Sequence, residues 1–166
     1  MTTDRDWVVA AVRQYERPLL AYVRRLLPDG ERGRDVVQDA FLQLCQQPRA
    51  ELESRLAPWL FAVCRRRAID ILRKDHRMIA TLDPVAEPPA RGPEPTQTAE
   101  TNDTTRVVLG HLAALPTDQN EAVRLRFQNH FSYREIAEVM GLSESHVGVL
   151  LHQAMKALRT KLPHLA

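Results

Sequence analysis

At 166 residues, the chain is long enough for one domain or two small ones. Its composition, 44% hydrophobic and 27% charged, is typical of a globular protein and excludes a disordered or fibrous chain. The net charge of +2 hides three blocks: residues 1–81 carry 15 Lys and Arg against 11 Asp and Glu, residues 82–105 carry 1 against 5, and residues 106–166 carry 7 against 5. Two mildly basic blocks therefore flank an acidic one, and this distribution bears on the binding partners.

The sequence offers no sign of a membrane or secreted protein. No stretch approaches the roughly 18 consecutive apolar residues of a membrane span, and the N-terminus lacks the basic start and apolar run of a signal peptide. The two cysteines, Cys45 and Cys64, form no CxxC motif and fall in apolar helical patterns. We therefore expect a cytoplasmic protein without membrane insertion, with two buried free thiols.

The first block has the apolar periodicity of helices. A stripe spaced by threes and fours runs from Val8 to Leu26 and predicts the first helix. Pro18 interrupts this stripe, so we expect either a kink or two abutting helices. The segment 28–33, PDGERG, predicts a turn before the second helix.

The second helix is predicted to have an apolar and a polar face. The apolar face is formed by Val36, Val37, Ala40, Phe41 and Leu44. The polar face is formed by Asp35, Gln38, Asp39 and Gln43. Residues 46–58 are expected to form a loop containing at most a short helical turn. A third helix starts near Pro58, which a first helical turn tolerates, and continues to about Arg77.

The third helix carries most of the positive charge of the first block. Its charged residues are Arg65, Arg66, Arg67, Asp70, Arg73, Lys74, His76 and Arg77. A solvated charged face is the ordinary interpretation of such a run. Binding of single-stranded nucleic acid is the alternative, because Trp59 and Phe61 lie just upstream and such platforms combine aromatic stacking with phosphate neutralisation. The residues alone leave both interpretations open.

The composition changes between residues 82 and 105. This segment has five prolines, many Thr and Glu residues and few large apolar side chains, too few to offset the entropy of its own ordering. We therefore predict a flexible acidic linker over 82–105 that joins a helical domain at 1–81 to a second at 106–166. Since the sequence has no strand pattern and no repeat, the predicted fold class is all-α.

The last block contains a complete helix-turn-helix pattern. Two helices are predicted first, over 105–115 and from Pro116 onward. Ser132 and Glu135 then form an S-x-x-E capping box, Gly141 supplies a left-handed turn residue, and Ser143 is the N-cap of the last helix. A helical hairpin that binds no DNA is the plainer interpretation, but the agreement of all these positions favours DNA binding.

The second helix of this motif has no Lys or Arg between Leu142 and Gln153. Its outer face would therefore read base edges through methyl contacts and neutral hydrogen bonds. The residues expected at the groove are Ser143, Ser145, His146, Gly148, Val149, His152 and Gln153. Phosphate contacts are expected from the flanking cations, chiefly Arg124, Arg134 and Lys156, which supply affinity rather than sequence selection.

The segments RDVVQDAFLQL, PWLFAVCRRRAIDILRK, LPTDQNEAVRLRF and SYREIAEVMGLSESHVGVLLHQAMKAL, in this order, resemble the extracytoplasmic-function (ECF) group of bacterial sigma-70 factors. The resemblance implies sigma region two in 1–81, region four in 106–166, and a factor that directs core RNA polymerase to promoter DNA and assists melting. Arg66, Gly148 and Leu150 depart from the family pattern, which commonly has Asn at the first position and Lys or Arg at the others.

The resemblance also assigns roles to residues. It implies that the polar face of the second helix, Asp35, Gln38, Asp39 and Gln43, docks on core polymerase. It implies minus-ten binding and melting by Trp59, Arg65, Arg66, Arg67, Asp70, Arg73, Lys74 and Arg77, and minus-thirty-five reading by the helix-turn-helix. An anti-sigma protein fits the resemblance as a further partner.

Two other functions are alternatives to this interpretation of the sequence. The first is a helix-turn-helix regulator that binds duplex DNA without becoming a polymerase subunit. The second is an enzyme, but the sequence has no HExxH, no Cys/His metal spacing, no glycine-rich phosphate loop and no nucleophile motif. We therefore expect no catalytic residue, no metal, no cofactor and no small-molecule substrate.

Overall fold

The structure is a computed structural model that describes residues 4–82 and 103–163. Its regular secondary structure within these residues is helical throughout, which confirms the predicted fold class. The chain divides into two compact units, one within Met1–Glu94 and the other within Pro95–Ala166. None of the helices in the described ranges is long and apolar enough to span a membrane.

The described part of the first unit contains four α-helices and a 3-10 turn at Glu53–Arg55. The helices are α1 (Asp4–Leu26), α2 (Gly30–Leu44), α3 (Arg49–Leu52) and α4 (Leu56–Leu82). The described part of the second unit contains α5 (Asp103–Ala113), α6 (Thr117–Phe127), α7 (Tyr133–Met140) and α8 (Glu144–Lys161).

Both ends of the predicted linker, 82–105, are helical. Helix α4 continues through Leu82 and α5 begins at Asp103. The rest of the linker lies outside the described residues. The division between the two units falls within the predicted linker, but the domain boundaries drawn from the sequence stay a prediction.

Helices α1, α2 and α4 pack around one apolar core. All five residues predicted to form the apolar face of α2 are buried. The Tyr22 and Phe61 rings lie 5.0 Å apart between centroids, a tilted arrangement favoured by aromatic pairs. Gly33 lies on the side of α2 that faces α1, and a Cβ built there would make an ordinary van der Waals contact with Val23 Cγ1, at 3.6 Å.

At Pro18 one of the two predicted alternatives is excluded, and the predicted turn at 28–33 is too long. Helix α1 is a single element across Pro18, so the alternative of two abutting helices fails. Proline inside a helix costs about 3 kcal/mol, but Leu19, Tyr22 and Val23 are buried directly after it and stabilise the helix there. The predicted turn at 28–33 is shorter, because the Asp29 carboxylate accepts hydrogen bonds from the amides of Glu31 and Arg32 and starts α2 at Gly30.

The segment predicted as a loop, residues 46–58, is more helical than expected. It contains α3 and the 3-10 turn, and α4 begins at Leu56. Leu52 is buried in this segment and anchors it to the core. Pro58 is buried as well, and the Arg49 guanidinium donates a hydrogen bond of 2.6 Å to the Glu53 carboxylate, so several contacts accompany the helical order of this segment.

The core of the second unit lies between α6, α7 and α8. The apolar residues predicted for the inner side of the helix-turn-helix are buried, among them Ile136, Val147 and Leu151. Helix α5 contributes no fully buried residue. Helices α7 and α8 pack against each other through their buried apolar side chains, and this packing fixes the angle between the two helices of the motif.

The two thiols differ in environment. Cys64 is buried, as predicted, but Cys45 is exposed where α2 ends, so the prediction of two buried thiols is wrong for Cys45. The apolar pattern of α2 continues to Leu44, and Cys45 lies just beyond the face that this pattern buries.

Burial, with a smaller contribution from the charge of Asp39, raises the pKa of the Cys64 thiol to about 12. Because the thiolate is the reactive form, we expect a maleimide at pH 8 to modify Cys45 in the native protein and Cys64 only after the first unit unfolds. Peptide mass spectrometry with and without denaturant measures this, and Cys45→Ser is the control. Modification of both thiols at equal rates under native conditions would contradict the burial of Cys64.

Candidate nucleic-acid interface

The outer face of α2 displays the four polar residues predicted to dock on a partner. Asp35 and Gln38 are exposed, whereas Asp39 and Gln43 are half-buried. The Gln43 amide donates a hydrogen bond of 2.8 Å to the Asp39 carboxylate, so these two side chains are held together. The structure thus presents all four on one side of a helix whose opposite side forms the core.

Leu42 lies on the same face and was missed by the sequence analysis. It is 64% exposed and follows Asp35 by seven residues and Gln38 by four, which places it on the same side of the helix. A single exposed leucine is common on protein surfaces, but its position among these polar residues makes it a candidate contact. The heptad spacing from Asp35 is the signal that would have identified it.

The basic face of α4 is exposed over most of its length. Arg67, Asp70, Arg73, Lys74 and Arg77 line one shallow depression together with His76 and Leu72. Arg66 is exposed, and Arg65 and Trp59 are half-buried, but these three lie outside the depression. The structure therefore brings together five of the eight residues predicted for minus-ten binding.

One acidic side chain on α4 is neutralised by an ion pair that the sequence did not predict. Arg32 donates to both carboxylate oxygens of Asp75, with distances of 2.6 and 3.1 Å. The hydrogen bond from Arg32 lowers the pKa of Asp75, so the pair contributes stability above the ordinary aspartate pKa of about 4 and loses it as the pH falls further. The two residues are 43 positions apart in the sequence, so no local sequence pattern predicts their contact.

The helix-turn-helix has the caps that its sequence predicts. The Ser132 hydroxyl accepts from the Glu135 amide at 3.2 Å, and the Glu135 carboxylate accepts from the Ser132 amide at 2.7 Å. Gly141 adopts a left-handed φ of 67°, and the Leu142 amide closes the turn by donating to the Ala137 carbonyl. The Ser143 hydroxyl caps α8 by accepting from the His146 amide, so this oxygen is already engaged.

The outer face of α8 has the neutral chemistry expected from the sequence. Its exposed residues are Ser145, His146, Val149, His152 and Gln153. Val149 is 51% exposed, which leaves its methyl groups free for apolar contact. The Gln153 carbonyl oxygen accepts a hydrogen bond of 3.2 Å from the Gln119 amide, which orients the Gln153 side chain.

Gly148 differs from the other residues predicted at the groove because it is half-buried. A Cβ built on Gly148 would lie 3.6 Å from the ring of Tyr133, so this ring lies beside the glycine. Tyr133 is itself 43% exposed, and the guanidinium of Arg126 stacks 5.4 Å from its ring centroid. This cation–aromatic pair adjoins the outer face of α8, and Tyr133 is not among the residues predicted from the sequence.

Of the cations predicted to contact phosphate, Arg134 and Lys156 are exposed, but Arg124 is 5% exposed. The Arg124 guanidinium donates from Nε to the Asn120 side chain at 2.6 Å, and the Asn120 amide donates to the Leu112 carbonyl. The prediction of a phosphate contact for Arg124 is therefore wrong. The reason is that α6 is buried over the whole stretch from Glu121 to Leu125, so its charged residues belong to the interior.

These positions predict different roles for Arg124 and Arg134. Arg124→Ala should lower the free energy of unfolding of the second unit by about 2–4 kcal/mol, because it leaves a cavity and an unsatisfied Asn120 acceptor. Arg134→Ala should change stability by less than about 0.5 kcal/mol but reduce the salt dependence of DNA binding. Urea denaturation and DNA-binding titrations at several salt concentrations measure the two effects. An Arg124→Ala variant with unchanged stability and a reduced salt slope would restore Arg124 to the DNA surface.

Comparison with known proteins gives matches in both units. A family model described as Sigma-70 region 2 matches residues 11–78, and one described as Sigma-70, region 4 matches residues 107–158. The chain is 23% identical over 149 residues to the ECF RNA polymerase sigma factor SigM of Bacillus subtilis, covering 89% of this chain and 90% of that protein. It is 27% identical over 151 residues to the ECF RNA polymerase sigma factor SigL of Mycobacterium tuberculosis, covering 89% and 84% respectively.

A solved structure has a similar fold. The sigma factor RpoE from Bartonella quintana, in a co-crystal structure with the anti-sigma factor NepR, matches with a TM-score of 0.67. The match covers 93% of this chain and 96% of that chain at 21% sequence identity. The agreement in helical architecture extends over both units.

Proposed function

The chain belongs to the ECF group of the sigma-70 family, and from this premise we propose how its surfaces divide the work of a sigma factor. Such a factor brings core RNA polymerase to promoter DNA. In this proposal α2 binds the polymerase, α4 binds and melts the minus-ten element, and α8 reads the minus-thirty-five element. A regulator that acts without polymerase is not favoured, because the family match includes the whole helical bundle of residues 11–78.

The polymerase contact is proposed for the outer face of α2. Asp35 and Asp39 provide negative charge, Gln38 provides amide donors and acceptors, and Leu42 provides an exposed apolar centre. Such a face suits a partner that surrounds an apolar patch with hydrogen-bond donors. The donors would pair with the carboxylates and the amide, and the apolar patch would cover Leu42 and exclude water from the interface. The buried side of α2 holds this face rigid, which limits the entropy lost on binding.

The minus-ten contact is proposed for the depression on α4. Its exposed cations, Arg67, Arg73, Lys74 and Arg77, neutralise phosphates and so provide salt-dependent affinity. Arg65, Arg66 and Trp59 lie nearby on the same helix and remain proposed contributors. The observation that carries this part of the proposal is the exposure of these four cations along one stretch of α4.

The minus-thirty-five contact is proposed for α8 together with its flanking cations. Arg134 and Lys156 are exposed and suited to phosphates, whereas the reading face offers methyl groups, hydroxyls, imidazoles and an amide. Methyl contacts select thymine, and neutral hydrogen bonds discriminate less strongly than the arginine–guanine pair. Binding at two promoter elements through one chain compensates for a weak reader, because the second contact becomes intramolecular.

We further propose that the protein supplies no catalytic group and acts in the cytoplasm, where polymerase and DNA are. Among the described residues, no group of three or more His, Cys, Asp or Glu side chains is arranged to hold a metal ion. Bond formation is left to the polymerase. An anti-sigma protein is a proposed partner as well, since the solved structure of similar fold was obtained with one.

The polymerase contact can be tested with variants of α2. The double variant Gln38→Ala with Asp39→Ala should weaken binding to core polymerase at least tenfold, and Leu42→Ala should weaken it several-fold, because both remove contacts from the centre of the interface. Fluorescence anisotropy with labelled protein measures the affinity, and run-off transcription measures initiation. Glu16→Ala, an exposed change on α1, is the control. Wild-type affinity in both variants would place the polymerase contact elsewhere.

The reading of methyl groups by α8 can be tested on promoters that the holoenzyme selects from genomic DNA. Replacing single thymines of the minus-thirty-five element by deoxyuridine should reduce wild-type affinity about fourfold at the position that Val149 contacts, since a buried methyl contributes about 0.8 kcal/mol. Val149→Ala should show the same loss on thymine and no further loss on deoxyuridine. Val107→Ala, an exposed valine on α5, is the matched control. Equal affinity of the wild type for thymine and deoxyuridine at every position would disprove the methyl contact.

A further inference from the structure

We propose that Arg32 and Asp75 are a positioning pair that fixes the second half of α4, and with it the minus-ten cations, relative to the polymerase-binding helix α2. This inference rests on the proposed function of α4. Neither residue belongs to the set that the sequence assigns to DNA or polymerase. Both lie within the first unit, and their contact joins two helices whose surfaces are proposed to bind different partners.

The second half of α4 lacks the apolar anchoring of the first half. In the first half, Leu60, Phe61, Val63, Cys64 and Ala68 are all buried. From Ile69 to Ala80 no described side chain is buried; Ile69, Ile71 and Ile79 are half-buried, and Leu72 and Met78 are exposed. The hydrophobic core therefore positions the helix up to Ala68 and exerts little direct constraint on the roughly three turns from Ile69 to Ala80.

Those turns carry Asp70, Arg73, Lys74 and Arg77, half of the eight residues proposed for the minus-ten contact. Arg73 and Lys74 directly precede Asp75, and Arg77 follows it by two residues. A small rotation or bend of the helix beyond Ala68 would move these cations relative to the core and to α2. Because Asp75 lies between Lys74 and Arg77, a contact that holds Asp75 in place also limits the movement of these cations.

The contact has the geometry of a directional constraint. Arg32 Nη1 lies 2.6 Å from Asp75 Oδ2, and Arg32 Nη2 lies 3.1 Å from Oδ1, so the two planar groups meet with two parallel hydrogen bonds. The side chains are 40% and 37% exposed, so the pair adds little to global stability. Its two bonds fix orientation as well as distance. Arg32 itself lies in the first turn of α2, which the Asp29 cap holds in place.

The alternative is that these residues act only through their charge on the DNA-binding surface. The two explanations make opposite predictions for one variant. If charge alone matters, Arg32→Gln should weaken promoter opening, because it removes a positive charge that attracts phosphates. Asp75→Asn should strengthen opening, because it removes a negative charge that repels them. If the pair positions α4, both single variants should weaken opening to a similar extent.

We therefore expect Arg32→Gln and Asp75→Asn each to slow promoter opening by holoenzyme about threefold, the loss expected for a well-formed surface pair. The double variant should be no worse than either single one, and the exchanged pair Arg32→Asp with Asp75→Arg should recover most of the wild-type rate. Permanganate reactivity of the minus-ten thymines measures opening. Arg13→Gln and Glu16→Gln, exposed changes of matching charge on α1, are the controls and should leave the rate unchanged.

A second measurement needs neither polymerase nor promoter. Amide hydrogen exchange over residues 69–80 of the free protein should be about threefold faster in both single variants and near wild type in the exchanged pair. Unchanged exchange, faster opening by Asp75→Asn, or failure of the exchanged pair to recover would each overturn the positioning role. If exchange responds as expected but wild-type holoenzyme opens no promoter, the proposed function of α4 fails and the positioning pair stands.

Discussion

The packing of the first half of α4 against α1 and α2 is the constraint on which the first unit depends. Phe61 and Leu60 are buried, and the Phe61 ring meets Tyr22 across the interface. Arginine and lysine cannot follow these residues into the core, because unpaired buried charges are too costly. Once the apolar side of α4 is buried, the cations must lie on the outside. The same burial turns the polar side of α2 outward, so one core presents both of the surfaces for which we propose binding partners.

In the second unit, burial of an apolar helix side also decides which side faces outward, but the outward side of α8 has no Lys or Arg between Leu142 and Gln153. Val147, Leu151 and Ala154 bury the inner side of α8, and the Ser143 cap and the Gly141 turn fix where the helix begins. None of these features requires a cation on the outer side. The fold of a DNA-binding motif and the chemistry of its reading face are therefore separable: the first is set by caps and burial, and the second by the few residues that burial leaves outside.

The features that could be predicted from the sequence have local signals. The capping box at Ser132 and the turn at Gly141 depend on neighbours within a few residues, and the apolar face of α2 repeats with the period of a helix. The features that were missed depend on contacts distant in sequence. Arg124 is buried because α6 is enclosed by other helices, and Arg32 meets a carboxylate two helices away. Exposure of Cys45 depends on where a helix ends, and helix boundaries are the least certain part of any periodic pattern.

The distribution of charge is compatible with the proposal that the outer face of α8, which has no arginine or lysine up to Gln153, takes part in promoter recognition. Phosphate contacts supply most of the affinity of a protein for DNA, and exposed cations for such contacts are present in both units, at Arg73 and Arg77 on α4 and at Arg134 and Lys156 around the motif. The reading face of α8 has only to discriminate among sequences, and a few kcal/mol from methyls and neutral hydrogen bonds suffices for that. Because the two units belong to one chain, discrimination at one element adds to affinity at the other. A stronger α8 would bind its element without the first unit, and promoter choice would then depend less on whether both elements are present.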